Sequence, residues 1–251
     1  MPAYQVTLHN DGPALWPQHK PMSEVLELRD TTPELTWSGT YQGVPTPPGG
    51  YIFKRGWWRR ENRYDPADPS LPGQIYARYI SWDTGQKDKE TTDYSACLVG
   101  ELLLDYRLIV RRVTQERLEF PDLPEAIEHT AVQWNYDDKL YGVLIEDKAS
   151  GTSALQTLAA TSPDWLAALL VPFMPTTDKV TRASQAAVWC KNGCVLLPVP
   201  GAAVPWLVDF EDELFSFPQV AHDDRTDTFS QLILFLENIL SAGWLARGGN
   251  Q

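Results

Sequence analysis

The sequence predicts an α/β domain built on a mixed β-sheet flanked by helices, with an irregular N-terminal arm. Three observations lead there. Segments rich in β-formers come first, from Ile75 to Val113. Short apolar strands then alternate with helix-length segments from Pro124 onward, as in α/β domains. The last periodic segment is the clearest: Phe229, Leu232, Ile233, Leu236, Ile239 and Leu240 fall on one face of an α-helix.

Residues 1–50 carry little periodicity. They close on Val44-Pro45-Thr46-Pro47-Pro48-Gly49-Gly50, which suits neither a helix nor a central strand. One short helix, Met22 to Arg29, is expected there. Residues 1–74 are read as an arm or linker and 75–251 as the folded domain. Ile75 to Asp83 reads as a strand rich in β-formers. Tyr94 to Leu104 and Arg107 to Val113 read as a hairpin around Asp105, and Pro124 to Trp134 as a helix. Tyr141 to Ile145, closed by Glu146, is an apolar run of the kind buried on both faces. Gly151 to Ala160, Asp178 to Cys190 and Val204 to Leu214 suit helices, with short strands at Leu169 to Phe173 and Cys194 to Leu197. No internal repeat is present.

The 251 residues allow one large domain, or one domain plus an extension, at roughly 150 residues per domain. Ten Trp, ten Tyr and eight Phe supply a core and exclude wholesale disorder. No apolar stretch is long enough to span a membrane. The opening MPAYQVTLHNDG lacks the features of a signal peptide, and three Cys do not make a disulfide framework, so a cytosolic compartment is expected. A net charge of −12 at first speaks against a nucleic-acid partner. The charge is unevenly spread. Residues 54–63 hold five basic residues and one acid, interleaved with Trp57 and Trp58, whereas residues 201–230 hold seven acids and one Arg.

Three acidic groups stand where burial makes them costly. Asp83 closes a strand flanked by aromatics, Glu146 followed by Asp147 closes an apolar strand, and Asp223, Asp224 and Asp227 open the last helix. A carboxylate at the edge of an apolar core loses hydration unless it is paired or bound to a metal. Oxygen-only ligands suit magnesium or manganese, and two such ions about 4 Å apart clamp both oxygens of phosphodiester hydrolysis. Each group also has an ordinary reading. Asp223 or Asp224 is placed to cap a helix, Asp83 to sit in a turn, and Glu146 to pair with Lys148. Only their convergence would make a metal site.

At Phe215-Ser216-Phe217-Pro218-Gln219-Val220-Ala221-His222-Asp223-Asp224-Arg225-Thr226-Asp227 the sequence resembles the C-terminal signature of the tailed-phage terminase large subunit. Glu211-Asp212-Glu213-Leu214 fits the acidic helix that precedes it. Asp178-Lys179-Val180-Thr181-Arg182-Ala183 resembles the family's lysine–arginine segment, Ile145 to Gly151 its second acidic motif, and Ile80-Ser81-Trp82-Asp83 its first. Tyr41 to Pro47, with Gly50 and Phe53, resembles the junction between motor and nuclease. The resemblance covers about residues 34–240. It implies an RNase H-like nuclease that cuts concatemeric phage DNA with two Mg2+ or Mn2+ ions in the host cytoplasm. By position, Asp83 would bridge the ions and Glu146 would be the second ligand, with Asp147 a weaker candidate. Asp224 would be the third, with Asp223 and Asp227 contributing or supporting.

The resemblance also implies partners: double-stranded DNA, a packaging ATPase, the small terminase subunit and the portal. No G-x-x-x-x-G-K-[ST] loop occurs, and Gly85-Gln86-Lys87 lacks the loop spacing, so the chain is expected to bind no nucleotide and to drive no translocation itself. It would be a separate nuclease subunit or a piece of a longer protein. Lys54, Arg55, Arg59 and Arg60 are candidates to hold DNA phosphates, or form a solvated or motor-docking face. Lys148, Lys179 and Arg182 are candidates to offset the scissile phosphate, or ordinary ion-pair partners. Cys190 and Cys194, with no His nearby, do not make a zinc site. Two rivals stand beside the terminase reading: another RNase H-like nuclease of resolvase or transposase type, and a degenerate domain that only binds DNA or a motor.

Overall fold

The computed structural model describes residues 18–31, 49–85, 87–88, 91–92, 94–119, 122–148 and 150–248. The junction-like segment Tyr41 to Pro47 lies outside the described residues. A seven-stranded mixed sheet forms the centre, in the order β1 (Arg63–Tyr64), β9 (Val195–Pro198), β6 (Leu108–Glu116), β5 (Ser95–Leu103), β2 (Ile75–Asp83), β7 (Leu140–Glu146), β8 (Leu170–Phe173). β2, β5 and β6 are antiparallel neighbours, while β7 and β8 extend the sheet parallel to β2. A separate small hairpin pairs β3 (Lys87–Asp88) with β4 (Thr91–Thr92). The helices are α1 (Met22–Thr31), α2 (Leu71–Gln74), α3 (Asp122–Trp134), α4 (Ser150–Thr161), α5 (Asp164–Ala167), α6 (Lys179–Lys191), α7 (Leu207–Ser216) and α8 (Asp224–Gly248).

The sheet is covered on both sides, which is why β5 is buried along its whole length. On one face α6, α7 and α8 pack Ala186, Phe210, Phe229, Leu232 and Ile233 against Tyr79, Leu98 and Leu144. On the other, α3, α4 and α5 pack Ile127, Ala154 and Leu166 against Ile80, Trp82, Val143 and Ile145. Strand alternation then sorts the acids: Asp83 shares parity with Tyr79, and Glu146 with Leu144, so both belong to the face covered by α6–α8. Gly100 on β5 lets α8 approach, because a Cβ there would lie 2.6 Å from Leu232 Cδ2.

Residues 49–74, read from the sequence as part of an arm, are built into this body. Phe53 and Trp58 lie in the core beneath α7 and α8, and β1 adds a strand to the sheet. At the N-terminal end of β2, Arg78 is fully buried. It is held by Glu101, Asp137, Tyr136 and the carbonyl of Trp134. Among the described residues no helix is long and apolar enough to cross a membrane.

Candidate active site

Asp83 and Glu146 sit at the carboxyl ends of two adjacent parallel strands. The last pair of the ladder is Trp82 with Ile145, so each acid lies one residue beyond it. Both are only 8% exposed. Burial, and then Glu146 beside it, push the Asp83 carboxyl well above the usual range. Burial alone would raise Glu146 too, but the hydrogen bond with Asp83 and the Lys148 ammonium 2.8 Å away bring it below its usual value. Like charges crowded in a dry site raise one carboxyl, while the other is held down by the cation beside it.

The third acid comes from the first turn of α8. Two bonds just beyond it seat α8 against the end of β2: Ser81 Oγ donates to Thr228 O at 3.0 Å, and Gln231 Nε2 to Trp82 O at 3.3 Å. They bring Asp227, 5% exposed, close enough to Asp83 to raise that carboxyl further. Asp224 turns the other way, accepting from Gln115 Nε2 on β6 at 2.7 Å. Asp223 lies outside the pair and accepts from Lys179 at 2.7 Å. Asp147 is taken up locally, accepting from Thr152 Oγ1 at 2.6 Å in the first turn of α4.

The cations read from the sequence as DNA contacts divide into three groups. Lys179 bridges Asp223 and Asp227, and Arg182, buried, holds Asp227 Oδ1 at 2.8 Å. Burial alone would lower the Lys179 ammonium, but these two carboxylates raise it above its usual value. Lys148 pairs with Glu146. In the basic segment, Arg55 pairs with Asp212 and lies over the Phe215 ring, and Lys54 donates to Gly50 O. Arg63 pairs with Glu211 at 2.6 Å. Arg59 and Arg60 are exposed and carry no ion pair among the described residues. His222 packs edge-on against Tyr94.

One acid that the sequence did not single out as a site residue is buried beside the start of α8. Glu213 on α7 is 6% exposed and accepts from the Thr226 N–H at 2.8 Å and the Thr226 hydroxyl at 3.1 Å. It satisfies a free amide at the start of α8, the task expected of Asp223 or Asp224, and leaves those acids for other partners. Burial pushes its carboxyl up to about 7. The only sequence signal for it was its place in the acidic helix motif.

The donor set is oxygen-only and rich in charge, which suits a hard divalent cation. Asp227 Oδ2 is buried and faces Lys179 at 2.9 Å without a directed hydrogen bond, leaving a lone pair that a cation can take. Among the described residues no group of three or more His, Cys, Asp and Glu side chains stands close enough together to hold a metal ion as the side chains lie. Ammonium and guanidinium groups balance the acids instead. A cavity of about 430 Å³ lies on the opposite face, lined among others by Trp82, Cys97, Arg112 and His129, and the clustered acids do not border it.

The strand order β6-β5-β2-β7-β8, with acids at the ends of β2 and β7 and on the last helix, defines an RNase H-like α/β domain. Residues 80–235 match the family described as the terminase RNaseH-like domain, well over half of the chain, and the chain belongs to that family. Among solved structures, the large terminase of a thermophilic bacteriophage in complex with ADP is similar at 11% identity and a TM-score of 0.53, covering 84% of this chain and 51% of that one. The present chain thus spans about half the length of that protein. The human cytomegalovirus terminase nuclease domain, Mn soaked and inhibitor bound, is similar at 10% identity and a TM-score of 0.50, covering 74% and 95%. No curated protein is similar in sequence.

Proposed function

We propose that this chain is a metal-dependent endonuclease of double-stranded DNA that trims concatemeric phage DNA during packaging. The observation that carries the reading is the buried acid pair Asp83–Glu146 at adjacent parallel strand ends, with Asp227 beside it. These three would hold Mg2+ or Mn2+, two ions in the full site, with Asp223 and Asp224 flanking. Bound ions would supply an activated water and neutralise charge on the phosphate. The chain's own residues do the rest. Any proton that crowding holds on these acids would have to leave as the metal binds. Lys179 and Arg182 offset the excess negative charge around Asp227, and Lys148, half-exposed beside Glu146, can face an incoming phosphate. The manganese soak of the cytomegalovirus domain supports this choice of metal. Translocation would fall to a packaging ATPase motor, working with the small subunit and portal.

Incubation of supercoiled plasmid with the protein and manganese should give nicked and linear products, and D83N should give none above background. Equal cleavage by both would overturn the role of Asp83. The ion pairs that satisfy Asp223 and Asp227 without a metal favour one rival, a domain that binds DNA or a motor without cutting. Absence of calorimetric manganese uptake at millimolar concentration would select that rival.

A further inference from the structure

The turns that carry Asp83 and Glu146 are fastened to each other by two residues with no acid–base chemistry of their own. The β2–β7 pairing stops at Trp82 and Ile145, so no ladder bond joins the two acids to each other, although each is paired outward, Asp83 with Ala96 and Glu146 with Phe173. After Glu146 the chain coils tightly into α4. Lys148 N donates to Glu146 O at 2.9 Å and Gly151 N to Lys148 O at 2.8 Å. A Cβ on Gly151 would lie 1.9 Å from Glu146 O and 3.0 Å from Thr84 Oγ1. The carbonyl could yield only by moving Glu146 with it. On the neighbouring strand, Asp83 runs into Thr84 and Gly85. Ser150 Oγ reaches across, donating to Gly85 O at 2.8 Å and lying 3.1 Å from Thr84 Oγ1. Gly85 is tied in turn to β5, its N–H donating to Ser95 Oγ at 3.1 Å.

We propose that Ser150 and Gly151 form a clasp that fixes the spacing of the Asp83 and Glu146 carboxylates, making both positioning residues for divalent-metal binding. The inference rests on the metal-dependent reading above and names what tunes that site. Ser150 acts by a cross-strand hydrogen bond, and Gly151 by having no side chain where the two turns meet.

The test is calorimetric titration of Mn2+ into the full chain, its D83N, S150A, S150T and G151A variants, and thermal melting of each. S150A should weaken manganese affinity roughly tenfold, the usual cost of losing a group that orients a ligand. Its melting temperature should fall by no more than about 4 °C, the effect of one hydrogen bond in a chain of this size. S150T, which keeps the hydroxyl, should restore affinity, and G151A should bind more weakly than S150A. Wild-type affinity in S150A, with binding lost in D83N, would overturn the clasp alone. A loss that S150T does not restore, or that tracks a large drop in melting temperature, would assign Ser150 to folding and also overturn it. No manganese uptake by the wild type would instead overturn the metal-dependent reading on which the clasp stands.

Discussion

At the scale of single residues, Asp83 and Glu146 were legible because a charged group that closes an apolar strand is conspicuous. The identity of the third acid was not. Asp223, Asp224 and Asp227 share the start of one helix, and no spacing rule separates them. What distinguishes them is the neighbour each finds: Gln115 takes Asp224, Lys179 takes Asp223, and Asp227 alone is buried beside Asp83. These partners come from elements far away in sequence. D227N should therefore lower manganese-dependent cleavage by on the order of a hundredfold or more, whereas D224N should stay within about tenfold of wild type. Single-turnover rates on a linear duplex would show the ranking, and equal losses would remove the distinction drawn between the two positions.

At the scale of elements, most strands and helices follow the sequence pattern closely. The apolar stripe from Phe229 to Leu236 is fully buried, and the hairpin falls at β5 and β6 as expected. The cap of α8 did not follow local rules, because Glu213 reaches it from another helix. That carboxyl is raised to about 7 against an ordinary 4.5, chiefly by burial. A raised folded-state value means that this group's contribution to stability is fully present below about pH 4.5 and is lost as pH climbs through about 7. The predicted loss between pH 5 and 8 is roughly 2–3 kcal/mol relative to a side chain that does not ionise. Urea denaturation of wild type and E213Q at both pH values should show E213Q gaining about that much on wild type at the higher pH. Parallel stability profiles would show that Glu213 does not ionise in this range.

At the scale of the whole molecule, the charge of −12 has a layout that composition hides. The basic segment was legible, but its commitments were not, because Arg55 and Arg63 meet Asp212 and Glu211, which lie some 150 residues away in sequence. The same long range hid the seventh strand, a two-residue addition to β9. Of the five cations in residues 54–63, four are exposed, and of these Arg59 and Arg60 carry no ion pair among the described residues and are free for phosphate contact. Binding of the isolated chain to duplex DNA should be weak and salt-sensitive. Replacing both residues by Ala should reduce the slope of log K against log salt by about 2, near 0.9 per phosphate contact. An unchanged slope would move the DNA path away from this segment.

The placement of the third acid also bears on how the protein is made. A ribosome delivers β2 and β7 early, and a chain that has reached only β9 carries Asp83 and Glu146 on a sheet whose one face is covered by α6 alone. Asp227 arrives with the same helix that supplies Phe229, Leu232, Ile233 and Leu236 to cover that face. Closure of the core and completion of the acidic cluster are thus one event. On the proposed function, a half-synthesised or truncated chain presents no cutting site, and the host chromosome meets the nuclease only as a finished fold.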